Sequence, residues 1–347
     1  MNMTTGKKRG LKIALIIILL LVANAGAFAW IGVNFVKEKL DKVVKLEVDK
    51  SKLGIDPRVA RELKNYRNIV LLGIDTRDVK DDKDARSDTI VIASIDKRTN
   101  KVRLTSVYRD CCLMQEQRGP DKINHAYFYG GPSGMVAALN RNLDLNIEEF
   151  VVVNWGTVAN AIDAIGGLDI NIKQPEVADL NHYALETARF VNKKGATVPG
   201  PGKHHLNGVL VTAYCRIRHS FAGDYTRAER TRTVIKKTLA KVKHMPIASI
   251  NNLANMVLPM IKTNMSTSDM MGLAISAAKF DIVGSKGWPY AHKGGNIGGV
   301  YYDIPVTLKT NVIKLHEKLF SQKNYNPTNK VLEYDKKINA KAGTAAQ

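Results

Sequence analysis

The sequence predicts an α/β protein with a mixed central sheet, on three observations. Apolar runs of strand length, Asn68–Ile74, Thr89–Ile95, Val102–Val107 and Phe150–Val153, each stop abruptly at polar or charged residues. Between and after them lie amphipathic stretches of helical length, Ser133–Leu143, Thr157–Ile165 and a run from Arg232 to about Lys243. A polar turn, Asp96 to Lys101, joins two of the apolar runs as an antiparallel hairpin.

Taken in order, residues 1–12 are short and basic, and Ile13–Val36 carries no charge, long enough to cross a bilayer as one helix. The basic flank stays inside, which places residues 37–347 outside the cell membrane. Ala23-Asn24-Ala25 and Ala29 offer signal-peptide cleavage sites, but apolar sequence continuing through Trp30 to Val36 favours an anchor. Residues 37–66 read as a charged connector. The Lys80–Ala85 segment is a charged loop, Gly166-Gly167 closes a helix, and Leu168–Ile172 is a short strand. Residues 174–205, with Pro175, Pro199 and Pro201, read as a loop or lid-like insertion. Helices are expected at Ile250–Ile261, Asp269–Phe280 (capped by Ser268) and 307–320, with a disordered tail over 321–347. The Gly294–Gly299 run reads as a hairpin loop, since a dinucleotide fingerprint needs a strand-to-helix setting.

Lys and Arg outnumber Asp and Glu by 52 to 32, a net charge of +20. Such an excess predicts an anionic partner, and an extracytoplasmic domain excludes nucleic acid. The charge concentrates in Ala213–Arg232. Arg216 and Arg218, two apart, would share one side of a strand, while Asp224, Arg227 and Arg230 would share a helix face, with Phe221-Ala222-Gly223 as the turn. Guanidinium groups brought that close need an anion between them, and phosphate oxygens suit their planar forks. Three further clusters sit at strand ends: Asp75/Arg77, Arg86/Asp88 and Arg109/Asp110. Hairpin pairing puts them on one sheet edge. Asp75 and Asp88 among arginines suit a hard cation that serves a phosphate ligand. Lys122 is another candidate phosphate ligand. Adjacent His204 and His205 diverge on a strand and carry little weight as metal ligands. Cys111, Cys112 and Cys215 are an odd set, and a bridge from Cys215 to one of the other two would staple the motif strands together.

The segments Asn68–Arg77, Arg86-Ser87-Asp88-Thr89, Ser106–Asp110, Lys122–Tyr127 and Arg216–Arg230 together resemble the LytR-CpsA-Psr family, five motifs in order across residues 67–240. The resemblance implies a three-layer α/β/α sandwich over 67–320 (motif core 67–243), with a long apolar pocket for a polyprenyl chain. It implies transfer of a glycopolymer (teichoic acid, capsule or similar) from undecaprenyl pyrophosphate to the muramic acid hydroxyl of peptidoglycan. Asp75 and Asp88 then resemble the residues that hold Mg²⁺ or Mn²⁺. Arg77, Arg109, Arg216, Arg218 and Arg227 resemble the pyrophosphate clamp, joined by Arg86, Lys122 and Arg230. Asp75 is the expected proton acceptor, Asp224 the alternative. Tyr108 stands where the family usually has Pro, and Thr231 where a Gln often follows. Pyrophosphatase action, with water as acceptor, and a non-catalytic envelope regulator that binds anionic polymer or lipid are the competing readings. About a dozen cytoplasmic residues are too few for a DNA-binding helix pair.

Overall fold

In the computed structural model, the described residues are 37–343 apart from Arg77, Gln117, 218–222, Lys243, His244, Pro246 and Ala278. The expected anchor, 13–36, lies outside them. Among the described residues no helix is long and apolar enough to cross a membrane.

The chain begins with β1 (Val44–Lys45) and α1 (Pro57–Glu62), then enters β2 (Tyr66–Ile74), β3 (Ser87–Asp96) and β4 (Lys101–Val107). A small ribbon, β5 (Cys112–Gln115) and β6 (Gly119–Lys122), leads into α2 (His125–Leu143), β7 (Glu149–Asn154) and α3 (Trp155–Ala164). There follow β8 (Leu168–Ile172), α4 (Val177–Phe190), β9 (Gly202–Leu206), α5 (Gly208–Arg216), α6 (Gly223–Val242) and α7 (Ile247–Val257). The last third holds β10 (Lys262–Thr263), α8 (Thr267–Ala277), β11 (Asp281–Trp288), β12 (His292–Ile297), β13 (Val300–Pro305), α9 (Leu308–Phe320) and α10 (Asn329–Gly343).

Seven strands form the central sheet in the order β1-β10-β7-β2-β3-β4-β11. Strand β2 runs parallel to β7 and antiparallel to β3, β3 is antiparallel to β4, and β4 is parallel to β11. Consequently β2, β4, β7 and β11 all point the same way, and their C-terminal ends share one edge with the start of β3. Strand alternation divides the core in two. On β2, Ile69 and Leu71 face one apolar cluster, built with α3 to α8; Val70, Leu72 and Ile74 face the other, built with α1, α2, α9 and α10. Burial on both faces is why these strands read as unbroken apolar runs.

Several expectations need correction. The segment read as a connector packs on the domain: Leu40, Val43, Leu53, Val59 and Leu63 are buried, and Val44–Lys45 pairs with β10 at the sheet edge. Residues 174–205 hold α4 and β9, not a loop; Leu180 and Ala184 supply the apolar face that three prolines obscured. The tail forms α10, whose Val331, Tyr334 and Ile338 recur at helical spacing and are buried. The cap of α8 is Ser266, whose hydroxyl accepts from Asp269 N at 3.0 Å; Ser268 does not fill it. The glycine run does form a hairpin, turning at Gly298 and Gly299 with φ of 58° and 79°.

The cysteine bridge is also overturned. All three thiols are free and buried, Cys111 and Cys112 in one core and Cys215 in the other, with the sheet between them. Burial pushes Cys112 up to about 11 and Cys215 up to about 12, and Cys111 well above the usual thiol value. A raised pKa keeps each thiol protonated and unreactive at neutral pH. Maleimide at pH 7 therefore labels none of the three in the folded protein and all three in denaturant. Fast labelling of the native state, or a 2 Da shift on reduction, would contradict this arrangement.

Candidate active site at the sheet edge

The common strand edge is where charge collects. The β2–β3 register shifts between Gly73, opposite Thr89, and Ile74, opposite Ser87, so Asp88 sits in a bulge. This irregularity turns the carboxylate toward the edge instead of leaving it in the ladder. Arg109, two residues past β4, reaches Asp88 Oδ1 with Nη1 at 2.6 Å, and its Nε lies 3.3 Å from Asp110 Oδ2. Arg227, on the second turn of α6, donates Nη2–H to the Asp88 carbonyl at 2.7 Å and places Nη1 3.7 Å from Oδ2. Lys122, the last residue of β6, holds Asp110 Oδ1 at 2.9 Å. Three cations thus surround two carboxylates. The Arg227 side chain is 5% exposed and that of Asp88 10%, whereas Arg109 keeps 20% open to the edge.

Asp75 follows β2 at the same edge and is exposed. Arg86 is exposed as well, its guanidinium 4.9 Å from the centre of the Phe128 ring. The loop carrying Arg86 is tied down by Asp82, which accepts from Tyr127 at 2.5 Å and from Lys262 at 2.9 Å.

The strand assigned to Arg216 and Arg218 is not there. Residues 208–216 form a helix, capped by Asn207 accepting from Leu210 N at 3.0 Å and buried nearly all round, so the two-residue spacing of Arg216 and Arg218 does not mark a strand. Arg216 ends that helix and points at α4, donating to Thr187 Oγ1 at 2.8 Å and lying 3.4 Å from Glu186. Arg230 is buried against Glu176 at 2.9 Å and donates to the Ile217 carbonyl at 3.0 Å, tying the end of α5 to α6. Of the predicted arginines, then, Arg109 and Arg227 meet at Asp88 while Arg216 and Arg230 engage α4 and its approach. Arg77, Arg218 and the side chain of Asp224 lie outside the described residues.

Directly beside the Asp88 cluster opens an apolar cavity of about 50 Å³, between β2, β3, β7 and the helices α3, α5 and α6. Leu71, Val91, Val153, Val158 and Ile235 line it, and Gly73, Thr89 and Thr231 form part of its wall. Thr89 adjoins Asp88, and Thr231 lies one turn past Arg227, so charge and grease share a border. A side chain at Gly73 would intrude, its Cβ meeting Thr89 Cβ at 2.9 Å. Thr231, where the family's polar residue was expected, thus belongs to the cavity.

Sequence reasoning missed a second polar group at this edge. The Tyr225 hydroxyl donates to Asp303 Oδ1 at 3.0 Å, and His292 Nδ1 lies 2.7 Å from that same oxygen. Tyr108 packs edge-on against Tyr225 and His292, at 4.6 and 5.6 Å between ring centres. Burial, then Asp303, drives the Tyr225 phenol upward, so it stays a donor. Arg232 completes the group: its Nη1 is buried without a hydrogen-bond partner among the described residues, and burial lowers its pKa. The one sequence signal for this group was Tyr108 itself, an aromatic residue where Pro was expected. Among the described residues no three His, Cys, Asp or Glu side chains gather as a metal cluster; His204 and His205 bond instead to Gly200 and Asp169.

A sequence profile of the LytR_cpsA_psr family matches residues 32–318. The chain is similar to the polyisoprenyl-teichoic acid–peptidoglycan teichoic acid transferase TagU of Bacillus cereus, 28% identical over 271 residues, covering 77% of this chain and 83% of that one. In fold it resembles protein gbs0355 from Streptococcus agalactiae (TM-score 0.62, 23% identity, 78% of this chain and 92% of that one). It likewise resembles TagT with bound octaprenyl pyrophosphate lipid (TM-score 0.54, 21% identity, 81% and 94%). The ordered motifs, the mixed sheet and the charged edge agree with these matches, and the chain belongs to the LytR-CpsA-Psr family.

Proposed function

We propose that this protein transfers a glycopolymer from an undecaprenyl pyrophosphate carrier to the muramic acid hydroxyl of peptidoglycan, releasing undecaprenyl phosphate. The carrying observation is the adjacency of the Asp88–Arg109–Arg227 cluster to the apolar cavity between β2, β3, α3 and α6. A polyprenyl pyrophosphate is the ligand with that division, a greasy chain ending in two phosphates. The name of the TagU relative and the lipid in the TagT structure support the reading. A tether over residues 13–36 would hold the domain beside its lipid donor.

In the reaction the muramic oxygen attacks the sugar-side phosphorus. A new P–O bond forms, the phosphoanhydride bond breaks, and the electron pair leaves on undecaprenyl phosphate. Arg109 and Arg227, joined by Lys122 and, by family resemblance, Arg77 and Arg218, stabilise the charge that builds on the leaving phosphate. Exclusion of water from the neighbouring cavity strengthens those interactions. Asp75, exposed at the end of β2, takes the proton of the attacking hydroxyl. A magnesium ion, which needs only one or two carboxylates beside substrate phosphate and water, would be held by Asp75 and Asp88, with Asp88 exchanging part of its contact with Arg109 and Arg227 for the ion. When bound, that ion would add positive charge against the pyrophosphate oxygens.

Two experiments test the reading. Arg109→Ala should lower transfer by about 10²–10³-fold, the cost of losing one donor in comparable oxyanion sites, with the melting temperature held by the remaining Arg227–Asp88 contact; undiminished turnover would remove Arg109 from the clamp. Val158→Trp should fill the apolar cavity and abolish binding of a fluorescent polyprenyl pyrophosphate, while inorganic pyrophosphate still binds. Retained lipid binding would mean the chain lies elsewhere. Replacing the peptidoglycan acceptor by water separates transfer from hydrolysis in the same assay.

A further inference from the structure

A second cavity lies on the other face of the sheet, and its chemistry is opposite to that of the first. It has a volume of about 380 Å³ and is walled by Lys52, Glu116, Arg118, Tyr129, Ser133 and Arg141 among others. Helix α2 creates it by breaking: Gly131 takes φ 58° and ψ −156°, and the helix restarts at Pro132. The break leaves Tyr129 exposed on one side and Ser133 on the other. Three cations face one carboxylate here, and Glu116 is already engaged by Arg141. Arg118 is exposed and stacks over the Tyr129 ring at 3.6 Å.

The cavity is connected to the sheet edge. Arg86, two residues before Asp88, lies 4.9 Å from the Phe128 ring centre; Phe128 and Tyr129 meet at 5.0 Å; and Tyr129 carries Arg118. Two guanidinium groups, Arg86 and Arg118, therefore flank a pair of edge-packed rings along one path from the candidate active site to the cavity. On the β6 side, Lys122 holds Asp110, while the neighbouring Asp121 holds His125 at 2.8 Å, and His125 packs on Tyr129 at 6.2 Å.

We propose that this path and cavity bind the phosphate-bearing chain of the glycopolymer, several repeats away from the bond that reacts. The assignment rests on the transferase reading above. Repeating phosphates match the spaced guanidinium groups, and the polyol or sugar units between them match the aromatic faces. A lipid tail is excluded by the cations, and a neutral glycan would offer them no charge. The cavity also lies within the usual volume range for bound ligands.

The test uses the purified protein and lipid-free oligomers of poly(glycerol phosphate), titrated calorimetrically. Wild type should bind them with an affinity that falls as salt rises, and Arg118→Ala with Arg141→Ala should weaken binding about tenfold or more. Arg118→Ala alone should show part of the loss without affecting the fold, because Arg118 is exposed and lies outside the core. In transfer assays the double variant should raise KM for a donor carrying a long poly(glycerol phosphate) chain and leave KM unchanged for a donor carrying one disaccharide. Equal oligomer affinity in wild type and variants would overturn the proposal, as would equal binding of an uncharged oligosaccharide. Failure of wild type to turn over either donor would sink the transferase reading, and the titration would still decide whether the cavity binds polyanion.

Discussion

Everything at the functional edge depends on one buried carboxylate held between two guanidinium groups. Asp88 occupies a bulge, so it has left the strand ladder, and Arg109 and Arg227 approach it from β4 and α6. With neither guanidinium the carboxylate would be uncompensated, at a cost of about 3–5 kcal/mol, so the contacts fix two distant parts of the chain at one point. The arrangement leaves Arg109 facing outward. A surplus of positive charge is thereby held at the edge before any ligand arrives, and the protein does not have to reorganise to meet an anion.

The sheet explains why that point borders a cavity. Four parallel strands end together, and an open α/β sheet offers its crevice outside such ends. Gly73 and Thr89 face each other across the β2–β3 pair immediately before the bulge, and they form wall rather than core. Charged and apolar surfaces are therefore separated by a single residue along β3, from Asp88 to Thr89. A ligand spanning both would be read by position along one strand.

Much of this was legible beforehand because strands buried on both faces announce themselves. The β2, β3, β4 and β7 runs were visible, and the charged residues at their ends located the edge, including Asp75, Asp88 and Arg109. What the sequence concealed follows a common cause. Helix α5 is buried almost completely, and the strand reading rested only on the two-residue spacing of Arg216 and Arg218 at its end. That error placed Arg216 in the site, although its guanidinium meets Glu186 and Thr187. Arg227 and Arg230, three apart on one helix, looked equivalent, yet one reaches Asp88 and the other Glu176; only the tertiary neighbours distinguish them. His292 and Asp303 were invisible because a glycine-rich hairpin brings them to Tyr225 from far along the chain. The tail and the segment before β2 escaped because their few apolar residues sit among many charges, and packing on the domain supplies what propensity does not.

The most direct measurement is a crystal structure of this chain soaked with a polyprenyl pyrophosphate. The account predicts the prenyl chain between β2, β3, α3 and α6, beside Leu71, Val91 and Val158, with a phosphate oxygen within hydrogen-bond distance of both Arg109 and Arg227. A diphosphate bound away from Asp88, or a prenyl chain lying on the α2 face of the sheet, would contradict it.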